Sequence, residues 1–283
     1  MLPAPESLTR NDFEIVARRL AEDIAHGMDA SRFIGSGYEY VKSRPYVQGD
    51  PTKSIDWKVV ARTGKPFVKE FETLKRTAVY IIVDTSTSMS VASVRISKHD
   101  LAVWIASAIG IAAQRQLRPV TVVSGGERDN VISTGLGRHE LRRAIEPLRI
   151  PGRREATRIS RRIEEINARA VRGSMIVILS DFHDPQALPA LRKVAPRHDC
   201  LAIHLVDPAE ETLRGAGVFR AVEAESGRSF VATSTSIVPD RNSLRGEIAR
   251  AGANYLRLST EEEFVAPLRQ FLSTRPAAGG GRG

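Results

Sequence analysis

The sequence predicts an α/β protein: a mostly parallel, doubly wound sheet preceded by a small N-terminal β-containing appendage. Three observations carry that expectation. Ala78–Val83, Met175–Leu179 and Cys200–Val206 are continuous apolar runs, segments with helical apolar spacing separate them, and two of the runs end in acidic, hydroxyl-rich turns. A strand that is apolar at every position is buried on both faces. Strands that alternate with amphipathic helices build parallel crossovers.

In chain order, Thr9 to His26 reads as an amphipathic helix with Phe13, Val16, Leu20 and Ile24 on one face. Residues 36–71 are rich in Gly, Pro, Tyr and charge without a clear period, so 1–76 is grouped as helix plus appendage. The α/β domain then runs over 77–273. Its first strand is 78–83, followed by a helix over 97–116 that repeats Leu101, Ile105, Ile109 and Ala112. Val120–Val123 is the next strand, closed by Gly125-Gly126, and Asn130–Ser133 reads as a short edge strand. Helices are expected over 138–148 and 157–169, the second after the breaker Pro151-Gly152. A strand over 175–179, a helix over 185–194 and a strand over 200–206 repeat the unit. Phe219–Val222 and Ser229–Ala232 flank Glu225-Ser226-Gly227-Arg228, a hairpin insertion near 218–233. A helix over 241–251, a strand over 255–258 and a helix over 261–272 complete the series. The Gly-rich tail, 274–283, is expected to be disordered.

Composition narrows the function classes. Cys200 stands alone in 283 residues, which excludes an internal disulfide framework and fits a reducing compartment. In its apolar run it reads as a buried strand residue. The most apolar stretch, 101–113, falls short of the roughly 20 residues a membrane span needs. With no basic-then-apolar leader at Met1–Ser7, a cytoplasmic protein without a membrane span is expected. The net charge of +9 comes from dispersed basic residues. Arg142-Arg143, Arg153-Arg154 and Arg161-Arg162 read as solvated helix faces, with an acidic protein partner as the alternative. Aromatics are 6% of the chain and do not interleave with those pairs, so nucleic acid is not an expected partner.

The segment that carries chemistry is Val83-Asp84-Thr85-Ser86-Thr87-Ser88-Met89. A strand in an open α/β sheet delivers these groups to its carboxyl end, where ligands bind in such folds. Hard divalent cations take oxygen ligands. Asp84 offers charge, and Ser86 and Ser88 offer neutral oxygens around one tight turn. Asp181 arrives at the same rim from a second strand, and Thr157, opening a helix, is a further hydroxyl. The expected ion is Mg²⁺, with Mn²⁺ or Ca²⁺ as alternatives. The plainer reading is that Asp84 and the serines cap the following helix.

This pattern resembles the metal-ion-dependent adhesion site of von Willebrand factor A domains, which have a Rossmann-type sheet. In that family Asp-x-Ser-x-Ser follows the first strand, a Thr comes from a second loop and an Asp follows a later strand. Asp84, Ser86 and Ser88 match the first element and Asp181 the last. Thr157 lacks the preceding glycines, which are replaced by Arg154-Glu155-Ala156. Upstream, Arg44-Pro45-Tyr46-Val47-Gln48-Gly49-Asp50, Ser54-Ile55-Asp56-Trp57-Lys58 and Ala61-Arg62 resemble the signature of a bacterial family, domain of unknown function DUF58. Lys69-Glu70-Phe71-Glu72 and Val206-Asp207-Pro208-Ala209-Glu210 extend that likeness across about residues 32–270. Members are encoded beside MoxR-type AAA+ ATPases, and longer relatives carry transmembrane segments. The resemblance implies a metal-dependent binding adaptor that works with a MoxR-type ATPase on a client protein complex. Asp50, Asp56 and Arg62 are expected to form ion pairs that staple the appendage to the sheet, with Trp57 adding apolar area.

The rival reading is a metal-dependent hydrolase in which His183, in Asp181-Phe182-His183-Asp184, serves as general base. The chain carries no His-Glu-x-x-His, no Gly-x-Ser-x-Gly and no complete phosphate-binding loop. A binding module is therefore expected rather than an enzyme.

Overall fold

Side chains alternate between the two faces of a strand, so an all-apolar strand needs a covering layer on each side. The computed structural model has that layered form. It describes residues 2–29, 39–48, 50, 52, 55–72, 77–127, 131–135, 137–151, 155–212, 218–222, 229–233 and 241–275. In chain order the elements begin with α1 (Arg10–Asp29), β1 (Glu39–Pro45), α2 (Trp57–Thr63), β2 (Phe67–Glu72), β3 (Val79–Val83) and α3 (Lys98–Arg115). They continue with β4 (Val120–Ser124), β5 (Val131–Gly135), α4 (Arg138–Ile145), α5 (Ile159–Arg169), β6 (Met175–Ser180) and α6 (Ala187–Val194). The last are β7 (Asp199–Val206), α7 (Pro208–Thr212), β8 (Val218–Val222), β9 (Ser229–Thr233), α8 (Arg241–Arg250), β10 (Asn254–Ser259) and α9 (Val265–Thr274).

Six strands form one sheet in the order β10-β7-β6-β3-β4-β5. Five of them run parallel, and β5 closes the edge antiparallel to β4. The alternation along β3 sorts its residues between two layers. Val79, Ile81 and Val83 join Trp104, Ile105 and Ile109 of α3 in one cluster. Ile82 faces the other, with Ile159 and Ile163 of α5 and Leu191 of α6. All nine of those isoleucines, valines and leucines are at most 1% exposed, and each stabilises the fold by roughly 1.5–3 kcal/mol through burial. The expected α/β class is therefore the observed one. Cys200 is fully buried in β7, and burial pushes its thiol up to about 12, as an inert core residue requires.

The chain divides into two compact units, Met1–Ser31 with Thr77–Gly283, and Arg32–Arg76. The sequence grouped the first helix with the appendage, but α1 belongs to the main unit. Its stripe of Phe13, Leu20 and Ile24 is buried in the same cluster as α3 and α9, and Phe13 stacks on Trp104 with ring centroids 4.6 Å apart. An amphipathic helix goes where apolar surface is available to cover it.

The smaller unit is an antiparallel pair, β1 with β2, joined by α2. Arg44 grips Asp50 with two parallel bonds of 2.7 Å each, and Val47 N donates to the same carboxylate. Those bonds hold the Asp50 carboxyl down to about 2. Asp56 is a helix cap: its carboxylate accepts from Lys58 N, Val59 N and Ser43 Oγ. Arg62 is exposed, and Trp57 is 68% exposed. Gly49 and Ser54 of the signature, Arg153-Arg154, the turn 223–228 and the tail 276–283 lie outside the described residues.

Three further details differ from the sequence reading. Arg162 is 4% exposed, not on a solvated face, because its guanidinium reaches back to Ser124 O (3.0 Å) and pairs with Glu165. The last helix begins at Val265 because the Glu263 carboxylate accepts from Val265 N and Ala266 N, capping its first turn. The second expected central helix starts at Ile159 instead of 157. Among the described residues no helix is long and apolar enough to cross a membrane.

Candidate functional site

In an open parallel sheet, ligands bind beyond the carboxyl ends of the strands where the strand order reverses. Here the chain leaves β3 toward β4 on one side, and its next parallel strand, β6, joins β3 on the other. The crevice between β3 and β6 is that point. Asp84 follows β3, and Asp181 follows β6.

Asp84 continues the strand pairing, its N–H donating to Leu179 O (2.9 Å). Its side chain is 1% exposed, and each carboxylate oxygen accepts one hydrogen bond. Oδ2 accepts from Ser180 Oγ at 2.6 Å and Oδ1 accepts from Ser86 N at 3.0 Å. Ser86 and Ser88 share one hydrogen bond, Oγ to Oγ, at 3.1 Å. The next turn is a short 3₁₀ segment, Thr87–Ser90, anchored by fully buried Met89. Neither serine nor Asp84 caps α3. Ser97 does, in a reciprocal bond pair with Asp100, so the plainer capping reading of the motif does not hold.

A second loop lies against this turn. Glu155 O accepts from Thr87 N and Thr87 Oγ1, and its carboxylate accepts from Thr85 Oγ1 at 2.9 Å. Arg158 N donates to Gly125 O at 2.7 Å. Thr157 sits between those two anchors, in the loop before α5 and not at the opening of a helix. Its Oγ1 is buried without a hydrogen-bond partner. Gly125 and Gly126 make the approach of the loops feasible. A Cβ on Gly126 would lie 2.4 Å from both Glu155 Oε2 and Thr85 Oγ1, and one on Gly125 would lie 3.1 Å from Asp84 Cα.

Asp181 is sealed, 1% exposed, and already carries two cationic partners. Lys98 Nζ lies 2.8 Å from Oδ2, and His183 Nδ1 lies 2.9 Å from Oδ1. Lys98 is itself 1% exposed and is shared with Glu210 of α7. The adjoining Asp207 accepts from Ser93 N and Ala209 N, fixing α7 to the loop before α3. Phe182 between Asp181 and His183 has φ 56, a left-handed backbone that a bulky residue adopts only under constraint. Its N–H donates to Ser180 Oγ, the hydroxyl that holds Asp84.

The charges settle accordingly. Burial, then the neighbouring Asp181 charge, push the Asp84 carboxyl up to about 7, against the bonds from Ser180 and Ser86. Burial would raise Asp181 as well, but Lys98 and His183 outweigh it and hold that carboxyl far below the usual range. For His183 burial works downward and the Asp181 carboxylate prevails, raising the imidazole to about 9. Lys98 is raised too, since Asp181 and Glu210 overcome its burial. Nearby His204 is driven down to about 3, chiefly by burial, and bonds Tyr255 Oη through Nδ1 at 2.9 Å.

The structure thus brings Asp84, Ser86 and Ser88 into one turn, places Thr157 in the loop laid against it, and sets Asp181 on the adjacent strand end. The sequence reading missed Lys98, Ser180, Glu155 and Glu210. Lys98 had a legible signal, because a cation in a helix's first turn opposes the helix dipole and needs an anionic partner. Among the described residues no group of three or more His, Cys, Asp or Glu could hold a metal ion. The oxygen set here is two carboxylates plus hydroxyls.

Comparison with known proteins gives uncharacterized relatives. Uncharacterized proteins of Mycobacterium bovis and Mycobacterium tuberculosis are each 29% identical over 93% of this chain and 87% of their own length. An uncharacterized Mycobacterium avium protein is 30% identical over 49% of this chain and 77% of its own length. The crystal structure of the conserved hypothetical protein BatB from Bacteroides thetaiotaomicron is similar at TM-score 0.47 and 16% identity, covering 70% of this chain and 97% of that one. The family model for the protein of unknown function DUF58 matches residues 42–255, and the chain belongs to that family.

Proposed function

We propose that this chain is a metal-dependent protein-binding adaptor whose main unit is a von Willebrand factor A-like domain. The observation that carries the reading is Thr157 Oγ1, a buried hydroxyl with no partner, beside a turn that presents Asp84, Ser86 and Ser88. Buried polar atoms are normally satisfied, and one that is not calls for a ligand. An all-oxygen set with a buried carboxylate suits a hard cation, Mg²⁺ first, with Mn²⁺ or Ca²⁺ as alternatives. Asp84, Ser86, Ser88 and Thr157 would hold it. Asp181, already gripped by Lys98 and His183, would act from behind that set.

When bound, the ion would supply an open coordination position for a carboxylate of the partner. The residues of the chain do the rest. Ser180 and the Ser86 amide orient Asp84. Glu155 holds the Thr157 loop against the turn. A charge-assisted contact of this kind adds direction to an ordinary surface contact. The partner reading rests on the signature around Arg44 and Asp56: a MoxR-type AAA+ ATPase, with a client protein complex under assembly or maturation.

The test is thermal unfolding in Mg²⁺ or Mn²⁺, then capture of the cognate MoxR-type ATPase. Metal at about a hundred times its dissociation constant stabilises by about 2.7 kcal/mol. The wild type should gain that and Asp84→Ala should not. Retained ATPase capture by folded, metal-free Asp84→Ala would sink the adaptor mechanism.

A further inference from the structure

Far from that site, a groove of about 460 Å³ opens between α1, α3 and α4. Lys98 is the first residue of α3, whereas the groove begins at Ser107 and reaches past the helix end to Leu117. The helix is ~27 Å long. The two features therefore occupy opposite ends of one rod, and nothing in the metal reading uses the groove.

Its walls are of two kinds. Phe13, Ile111, Leu141 and Ile145 provide an apolar floor, and five arginines, Arg10, Arg18, Arg115, Arg138 and Arg142, stand around it. Two carboxylates, Glu14 and Glu146, line it with them. Those two are already divided: Glu14 pairs with Arg18 and Arg142, and Glu146 with Arg10 and Arg149, while Arg115 pairs with Glu22 of α1 at 2.7 Å. The lining therefore keeps a surplus of positive charge over an apolar floor.

Leu117 is the telling residue. Helix α3 ends in a Schellman motif, with Arg118 N bonded to Ala113 O and Leu117 N to Gln114 O. That motif needs a left-handed residue, for which glycine is the usual choice. Gly64 after α2 and Gly252 after α8 fill such positions with φ 68 and 86. Leu117 adopts φ 57 despite its side chain, and leaves that side chain 51% exposed at the groove. Backbone strain and an exposed leucine are both unfavourable in the free protein. A ligand that covers Leu117 would account for both.

We infer that this groove docks an amphipathic helix of a partner protein, acidic on its flanks and aliphatic on its buried stripe. A trough between helices fits a helix that inserts residues at i, i+3 or i+4, and i+7. Arginine forks match Glu and Asp carboxylates better than lysine would.

The probe is a fluorescein-labelled synthetic helix with leucines at i, i+4 and i+7 and glutamates elsewhere, titrated with the full chain by anisotropy. Its twin carries lysines for glutamates. The glutamate helix should bind at least about tenfold tighter than the twin and weaken with added salt. Leu117→Gly should melt at or above the wild-type temperature, because the left-handed position is relieved, yet bind the probe several-fold more weakly. Arg138→Glu should also weaken binding, whereas Arg192→Glu on remote α6 should not. Unchanged binding by Leu117→Gly would overturn the inference, as would equal loss from Arg192→Glu, which would show only a net-charge effect. Arg138-dependent binding to phosphatidylglycerol vesicles without peptide binding would replace the partner helix with a lipid surface.

Discussion

Lys98 Nζ lies 2.8 Å from Asp181 Oδ2, and both side chains are 1% exposed. A buried cation thus sits on the carboxylate that the sequence assigned to a metal. Removing one partner of such a pair leaves an uncompensated buried charge. Lys98→Met should destabilise the metal-free protein by about 3–5 kcal/mol in denaturant unfolding. The same change makes the crevice more negative, so Mg²⁺ affinity by calorimetry should rise, whereas Glu210→Gln, which leaves Lys98 less balanced, should lower it. Changes in the same direction would show that Lys98 acts only as a structural pillar.

Asp84 predicts a pH dependence. Its folded-state carboxyl is raised from 3.8 to about 7, so its contribution to stability is fully present below about pH 4 and lost as pH rises through 7. Without metal, wild type should lose up to about 4 kcal/mol across that window relative to Asp84→Asn. Metal binds the ionised form, so stabilisation by Mg²⁺ should grow over the same range. Parallel melting curves for the two proteins from pH 4 to 7.5 would refute the assignment of that titration to Asp84.

His183 has the same sign at higher pH. Raised from 6.5 to about 9, it supports the fold below pH 6.5 and ceases to as pH passes 9. The ring is 37% exposed, so solvent screening makes the effect small. His183→Asn should flatten the alkaline limb of the melting-temperature profile between those values. A direct NMR titration of the ring near its ordinary value would contradict the Asp181 pairing.

Thr157→Val separates stability from binding. The substitution removes a buried hydroxyl that has no partner and keeps the shape. Such groups cost about 1–3 kcal/mol, so the metal-free variant should melt no lower than wild type. Its stabilisation by Mg²⁺ should nevertheless shrink. An undiminished metal response would remove Thr157 from the ligand set.

Gly126→Ala tests the packing of the two loops. The added carbon would meet Glu155 Oε2 and Thr85 Oγ1, each at 2.4 Å. Overpacking of this kind costs about 1–3 kcal/mol, and it should also weaken metal binding by shifting the Thr157 loop. Wild-type stability in this variant would mean that Glu155 swings aside freely.

Much of this was legible in one dimension. The runs at Val79–Val83, Met175–Ser180 and Asp199–Val206 are apolar at nearly every position, and only a sheet covered on both faces can bury them. Ser97 and Asp100 mark the start of α3 by local chemistry. Asp84, Ser86 and Ser88 fall in one turn because they are two residues apart. Sequence spacing also brought out Asp181, because two parallel strands deliver their ends to one rim. Thr157 was misplaced at a helix start because its loop is held from outside, by the bonds of Glu155 to Thr85 and Thr87.

Local pattern and spacing, then, determined the fold class, the strand ends and the hydroxyl-rich turn, since burial period and turn chemistry act between near neighbours. Only the tertiary structure decided which charges meet. Lys98 and Asp181 are separated by 83 residues, and Lys98 and Glu210 by 112. Their pairing comes from the stacking of α3, β6 and α7 at one end of the sheet. Packing likewise placed α1 in the main core and set five arginines around an apolar groove. Pair energies between charges depend on distance and burial, and neither quantity exists until the chain has folded.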